Sequence, residues 1–184
     1  MPTVLVILPE GFEEVEAVTP IDLWRRAGFT VTVAALDGKL EVTGRSNITL
    51  RADKRFSAIS PEAIFDVLFF PGGPGVKHLR ASPEVRETIG RHAMANKWIT
   101  AICAAPTVLK DAGLLDGRRY TAHPSVATEL PGLMEKENVV VDGHIVTSRG
   151  AGTALQFGLA VIQALEGVES ADKVAISICA QSAS

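Results

Sequence analysis

An α/β fold with a mostly parallel central sheet and helices on both faces is predicted by three features of this sequence. Continuous apolar runs at Val4 to Leu8 and Val67 to Phe70 read as strands buried on both sides. Helix-patterned stretches lie between such runs, so the strands are joined by crossovers and run parallel by default. Sharp or glycine-rich turns follow the strands directly, at Pro71 to Gly75 and at Cys103. Those turns fall at strand carboxyl ends, where α/β sheets place ligands.

The elements follow in order. After Val4 to Leu8 the chain turns at Gly11-Phe12, and Glu13-Glu14 lead a helix whose acidic start suits its dipole. Val15, Val18 and Ile21 recur every third position and are expected to face the sheet. Pro20 leaves the Glu16 carbonyl without its helical donor, so a local opening is expected there. Gly28 caps the helix, and Thr30 to Ala35 form the second strand. Leu40 to Leu50, with Gly44 and Asn47 inside, reads as a short hairpin, and Asp53 to Ala63 as a surface connection. Ser82-Pro83-Glu84 opens a helix running to about Asn96.

Trp98 to Thr107 is the central stretch. A short apolar strand ends at Cys103, and Ala104-Ala105-Pro106 opens a helix to about Ala112. A cysteine on a strand-to-helix turn has the layout of a nucleophile elbow, and the helix dipole favours its thiolate. The competing reading is a buried structural thiol. Beyond the turn Gly113 to Gly117, Tyr120 to Ala122 reads as a short strand leading into His123-Pro124. Val139 to Thr147 forms a hairpin turning at Asp142-Gly143. The glycine loop Ser148 to Thr153 precedes a helix over Ala154 to Leu165. The tail from Val168 is one more helix that frays into Ser182-Ala183-Ser184, and Cys179 within it reads as core or interface filler.

The 184 residues, 47% hydrophobic, suit a single domain over 1–184 with a sizeable core. A net charge of −3 without a long basic run gives a nucleic-acid role no electrostatic support. No apolar stretch approaches the roughly 20 residues of a membrane span, and Met1-Pro2-Thr3 begins a strand without a signal peptide. Two cysteines in unlike surroundings suit a reducing compartment, so a cytoplasmic location is expected.

Three further positions join Cys103 as candidates. Glu16 follows the first strand and would reach the same sheet edge, where a carboxyl can share a proton with the sulfur or act as general acid or base; the bland reading is one more acid of a solvated helix start. His123, before a proline, would lie beside the elbow, although a lone histidine is more often structural. His78, His92 and His144 have poorer settings, and neither histidines nor cysteines show zinc spacing, so no metal is expected. Gly72, Gly73 and the amide of Ala104 together would form an oxyanion pocket. Pro71 to Gly75 lacks the spacing and lysine of a P-loop, which leaves nucleotide binding as a weak alternative.

Six ordered motifs, Glu13-Glu14-Val15-Glu16, Arg25-Arg26-Ala27-Gly28, Pro71-Gly72-Gly73, Ala101 to Thr107, Thr121-Ala122-His123-Pro124 and Thr147 to Thr153, resemble the ThiJ/PfpI superfamily. The resemblance is strongest to its Parkinsonism-associated deglycase (DJ-one) branch and runs from Val4 to about Leu165. It implies a flavodoxin-like sandwich and a homodimer formed through the first helix region. It implies a reactive Cys103, with Glu16 as proton partner, His123 as auxiliary, and amide donors from Gly73 and Ala104. Arg45 would reach the partner subunit's site, with Arg26 close by. The activity implied needs no cofactor: conversion of α-oxoaldehydes to 2-hydroxy acids, or deglycation of early methylglyoxal and glyoxal adducts on proteins or nucleotides. An oxidation-sensing protective protein or chaperone using the same cysteine is the alternative. A cysteine peptidase is disfavoured, because Ala104 stands where the peptidase branch has a histidine. Thr43 and Leu50 stand where relatives carry further cysteines, so accessory thiol regulation is not expected.

Overall fold

The computed structural model describes residues 1–180. The expected fraying at Ser182 to Ser184 lies outside them. In chain order the elements are β1 (Thr3–Leu8), α1 (Glu14–Arg26), β2 (Thr30–Ala35), β3 (Glu41–Thr43), β4 (Thr49–Arg51) and β5 (Lys54–Arg55). Then come β6 (Val67–Phe70), α2 (Val76–Ala81), α3 (Pro83–Met94), β7 (Trp98–Ile102) and α4 (Pro106–Asp111). The chain continues with β8 (Val139–Asp142), β9 (Ile145–Ser148), α5 (Ala154–Glu166) and α6 (Val168–Ser177).

Seven strands form one sheet in the order β5-β2-β1-β6-β7-β9-β8, while β3 and β4 pair as a separate hairpin. Every neighbour in the large sheet is parallel except β8 against β9. The register sets Val4 against Val67, Leu68 against Ile99, and Ile102 against Ser148. Alternation along each strand divides the core. Val4, Val6, Leu8 and Phe69 pack with α1, α5 and α6 residues such as Trp24, Phe157 and Val174. Leu5, Ile7, Leu68 and Phe70 pack with α2, α3 and α4 residues such as Leu79, Ile89 and Val108. The predicted sheet with helices on both faces is therefore present. Among the described residues no helix is long and apolar enough to cross a membrane.

Several local expectations are corrected. Val15 and Val18 are 49% and 43% exposed, and α1 instead buries Glu14, Glu16, Ala17, Pro20, Ile21, Leu23 and Trp24. Residues 17, 20, 21 and 24 form the i, i+3, i+4, i+7 stripe that a packed helix needs. Trp24 anchors that stripe, edge-on to Phe69 at 5.0 Å, with its indole N–H donated to the Gly158 carbonyl of α5 at 3.0 Å. Pro20 sits inside a continuous helix, so the local opening does not interrupt it. Tyr120 to Ala122 adds no sheet strand: Tyr120 makes one bridge to Leu133, and the Thr121 N–H goes to the Thr147 hydroxyl at 2.9 Å. The connection after Asp53 does contribute the edge strand β5, and α2 had no sequence counterpart. Cys179 is exposed, which excludes a core role.

Candidate active site

The loops after β1, β6 and β7 leave the sheet on one edge, around the point where strand order reverses between β1 and its neighbours. Cys103 is the first residue past β7. Its backbone takes φ +65°, a left-handed conformation that costs a non-glycine residue about 1–2 kcal/mol. Two bonds hold it there: its N–H donates to the Ser148 carbonyl at 2.9 Å, and its carbonyl accepts the His123 N–H at 2.8 Å. The chain then enters α4 through Ala104 and Ala105, with Pro106 in the first turn. The half-buried sulfur is thus presented on a strand-to-helix elbow with a strained backbone, less exposed than an elbow implies.

Glu16 reaches that sulfur from the first turn of α1. The Glu13 carboxylate caps the helix by accepting the Glu16 N–H at 2.8 Å, and the Glu16 side chain, 1% exposed, hydrogen-bonds to Cys103. Its Oε2 accepts the Gly72 N–H at 3.0 Å. Gly72 therefore serves the carboxyl and not the oxyanion pocket, which corrects its expected role. No larger residue fits, since a Cβ on Gly72 would lie 2.3 Å from Glu16 Oε2 and 2.6 Å from Cys103 Cβ. The donors that do face the sulfur are the amides of Gly73 and Ala104. Gly73 adopts φ +96°, and a Cβ there would press to 2.6 Å on the Glu13 nitrogen.

Burial, then the repulsion of Glu13, pushes the Glu16 carboxyl up to about 7, against the opposing pull of Cys103, the Gly72 N–H and Arg45. Burial and the Glu16 charge also push the Cys103 thiol up, to about 12, although the Ala104 and Gly73 amides pull it down. The two groups are a coupled acid pair that avoids carrying two negative charges. A resting thiolate set by the helix dipole, expected from the sequence, is not what this pocket favours: α4 has only six residues, and Cys103 lies ahead of its first turn. When Glu16 takes the shared proton, its charge no longer opposes the sulfur, and the two amides remain to stabilise a thiolate.

The other predicted residues divide. His123 is brought beside the elbow by its backbone, and its ring lies near Gly150, where a Cβ would sit 3.5 Å from His123 Cδ2 and 4.0 Å from Glu16 Oε1. Its Nδ1 accepts the Ser125 N–H at 3.2 Å and lies 2.9 Å from the Ser125 hydroxyl. Arg45, exposed at the tip of the β3–β4 hairpin, acts on Glu16 of its own chain, since its positive charge is among the influences holding that carboxyl down. Arg26 is not brought in. It pairs with Asp22 at 2.7 Å in the last turn of α1, ten residues and roughly 15 Å along the helix from Glu16 at about 1.5 Å per residue. Gly150 and Arg149 were missed as site residues. With His123, Pro124, Asn138 and Thr153 they line an open depression of about 530 Å³. The signal was a second glycine loop directly after a strand, at the same sheet edge.

Known proteins resemble this chain in sequence and in fold. The chain is 37% identical to the Parkinson disease protein 7 homolog of Danio rerio, over 92% of this chain and 93% of that one. It is 30% identical to the glutathione-independent glyoxalase DJR-1.2 of Caenorhabditis elegans, over 95% and 94%. The structure of an oxidized DJ-1 from Toxoplasma gondii superposes with a TM-score of 0.93 at 36% identity, covering 98% of this chain and 99% of that one. Residues 2–164 match the DJ-1/PfpI family, and the chain belongs to that family.

Proposed function

We propose that this protein converts α-oxoaldehydes such as methylglyoxal to 2-hydroxy acids without a cofactor. The observation that carries the reading is the convergence of one carboxyl, Glu16, and two backbone amides, Gly73 and Ala104, on one nucleophile, Cys103. A relative named as a glutathione-independent glyoxalase supports it. Glu16 accepts the Cys103 proton, and the sulfur attacks the aldehyde carbon. The alkoxide formed is held by the Gly73 and Ala104 amides until it is protonated, giving a hemithioacetal. Glu16 then removes the proton from that carbon and returns it to the neighbouring one, leaving a 2-hydroxy thioester. Water cleaves the thioester, releasing the 2-hydroxy acid and regenerating the thiol. The net reaction adds water with no external oxidant or reductant. His123 flanks the route of the proton and serves it through its Nε2.

Glycated side chains or nucleotides carrying the same carbonyl group are substrates of the same class. The exposed Val15, Val18 and Ile48 are an apolar surface suited to a homodimer around α1, and the free thiols suit the cytoplasm. Incubation with methylglyoxal in the absence of glutathione is expected to yield lactate; unchanged methylglyoxal would overturn the reading.

A second reading, an oxidation-sensing protective protein or chaperone, is favoured by the same two amides on the sulfur, which would equally hold a sulfinate, and by the oxidized state of the Toxoplasma gondii relative. Each of two peroxide molecules would give one oxygen to the sulfur and leave as water. Mild peroxide is expected to add two oxygens at Cys103 and not at Cys179, read by intact mass and peptide mapping. Equal oxidation of both thiols would count against a sensor.

A further inference from the structure

The hairpin tip that carries Arg45 is fastened to the site by a residue outside it. Glu14, one position beyond the cap of α1, is 6% exposed. Its Oε1 accepts the Ser46 N–H at 2.7 Å and the Ile48 N–H at 3.4 Å. Burial pushes this carboxyl up, but hydrogen bonds from the backbone N–H groups of Glu14, Ser46 and Ile48 outweigh it and keep the group below its ordinary value. Its Oε2 is buried without a hydrogen-bond partner among the described residues, so the turn is what this side chain holds.

The turn fits closely around the carboxylate. A Cβ on Gly44 would stand 2.4 Å from Glu14 Oε1. The turn is closed by Gly44 N–H to the Ile48 carbonyl at 2.9 Å and Asn47 N–H to the Gly44 carbonyl at 3.1 Å. The Arg45 N–H donates to the Phe12 carbonyl at 2.8 Å, which ties the tip to the loop before α1. Glu14 and Glu16 are thus two residues apart on one helix turn, the first holding the loop of Arg45 and the second feeling its charge.

We propose that Glu14 is a positioning residue: by clamping the 44–48 turn it sets where the Arg45 guanidinium stands relative to the Cys103–Glu16 pair, and through Arg45 it governs capture of the substrate. An α-oxoaldehyde carries two adjacent carbonyl oxygens. The Gly73 and Ala104 amides take one, and the other gains negative charge when Glu16 moves the proton between the carbons. The Arg45 charge, which Glu16 already feels, is the complement to that second oxygen. The kinetic consequence rests on the α-oxoaldehyde reading; the clamp itself does not.

Glu14→Ala is expected to raise KM for methylglyoxal about tenfold with a smaller change in kcat, whereas Glu14→Gln, which keeps an acceptor oxygen, stays within about twofold of wild type. Gly44→Ala, whose methyl displaces the carboxylate without altering it, should reproduce Glu14→Ala and covers the case in which that variant does not fold. In an Arg45→Ala background, Glu14→Ala should add less than about twofold, because its effect passes through Arg45. Alkylation of Cys103 by iodoacetamide across pH reads the same coupling without turnover. Loss of the Arg45 pull moves the Glu16 limb to higher pH in Glu14→Ala and Arg45→Ala alike, with Glu13, Cys103 and His123 the other titratable groups around Glu16. Should wild type form no lactate while this shift appears, the activity reading fails and the clamp stands. A full Glu14→Ala effect on KM in the Arg45→Ala background, or an alkylation profile unmoved in Glu14→Ala and Gly44→Ala, overturns the clamp.

Discussion

Cys103→Ala is expected to abolish lactate formation from methylglyoxal, and Cys103→Ser to lower kcat by about 10³-fold or more. The reason is the proton partner. Glu16 shares its proton with a thiol held between two amide donors, which stabilise the thiolate once the carboxyl is protonated. A hydroxyl is a far weaker acid, so the same carboxylate cannot generate an alkoxide from serine to a useful extent. Serine nevertheless keeps a donor for Glu16 and fits the elbow, so the fold should survive. Thermal unfolding within a few degrees of wild type, at about 1 kcal/mol or less, would show that the loss is chemical. Wild-type lactate production by Cys103→Ser would remove the sulfur from the mechanism.

Glu16→Gln should lower kcat by about 10²–10⁴-fold, the range for losing a positioned general acid–base. It should also change how stability depends on pH, in a direction that can be worked out. The carboxyl has an ordinary value of 4.5 and titrates at about 7 in the folded protein. Below about pH 4.5 both states hold the proton, and Glu16 has no pH-dependent effect. Between 4.5 and 7 the unfolded chain loses it first, so stability falls as pH rises. Above pH 7 the full cost is present, on the order of 3 kcal/mol. Glutamine cannot titrate, so the mutant should gain on wild type across that window. Urea denaturation of both proteins from pH 4.5 to 8 tests this, and parallel curves would mean that Glu16 is not a raised acid.

The difference between the two proteins matters because other groups titrate as well. His92 is fully buried, with Nε2 accepting the Phe65 N–H at 3.0 Å and Nδ1 lying 2.7 Å from the Thr88 carbonyl. Burial holds its pKa below the ordinary value, so His92 makes the fold more stable as pH rises through the histidine range. That trend opposes the one from Glu16 and is present in both proteins.

Much of this arrangement could be read from residues because it is local. Apolar runs such as Val67 to Phe70 are strands for reasons contained in themselves, and a cysteine between a strand and Ala-Ala-Pro is the local layout of an elbow. What escaped depends on partners distant in the chain. Val15 and Val18 share the helical spacing of a buried face, but the residues that meet α5 and the sheet are Ala17, Pro20, Ile21 and Trp24. Which of two adjacent glycine amides faces the sulfur is decided by where Glu16 ends, so Gly72 and Gly73 could not be separated. Arg26 came only from the resemblance, and within one chain it pairs with Asp22 in the last turn of α1, away from Glu16. The ionisation of Cys103 follows from burial and from one carboxyl 87 positions earlier in the sequence.

The elbow brings together Glu16, Gly73, Ala104 and Gly150, which belong to four stretches separated by dozens of residues. A growing or partly folded chain closes those long loops late. Until it does, residue 103 is an ordinary thiol in ordinary solvent. The protein therefore carries its own gauge of completeness. The exposed Cys179 labels at a rate set by solvent, while Cys103 labels at a rate set by whether the sheet edge is assembled. The ratio of the two, followed during refolding, times the moment at which that sheet edge closes around the sulfur.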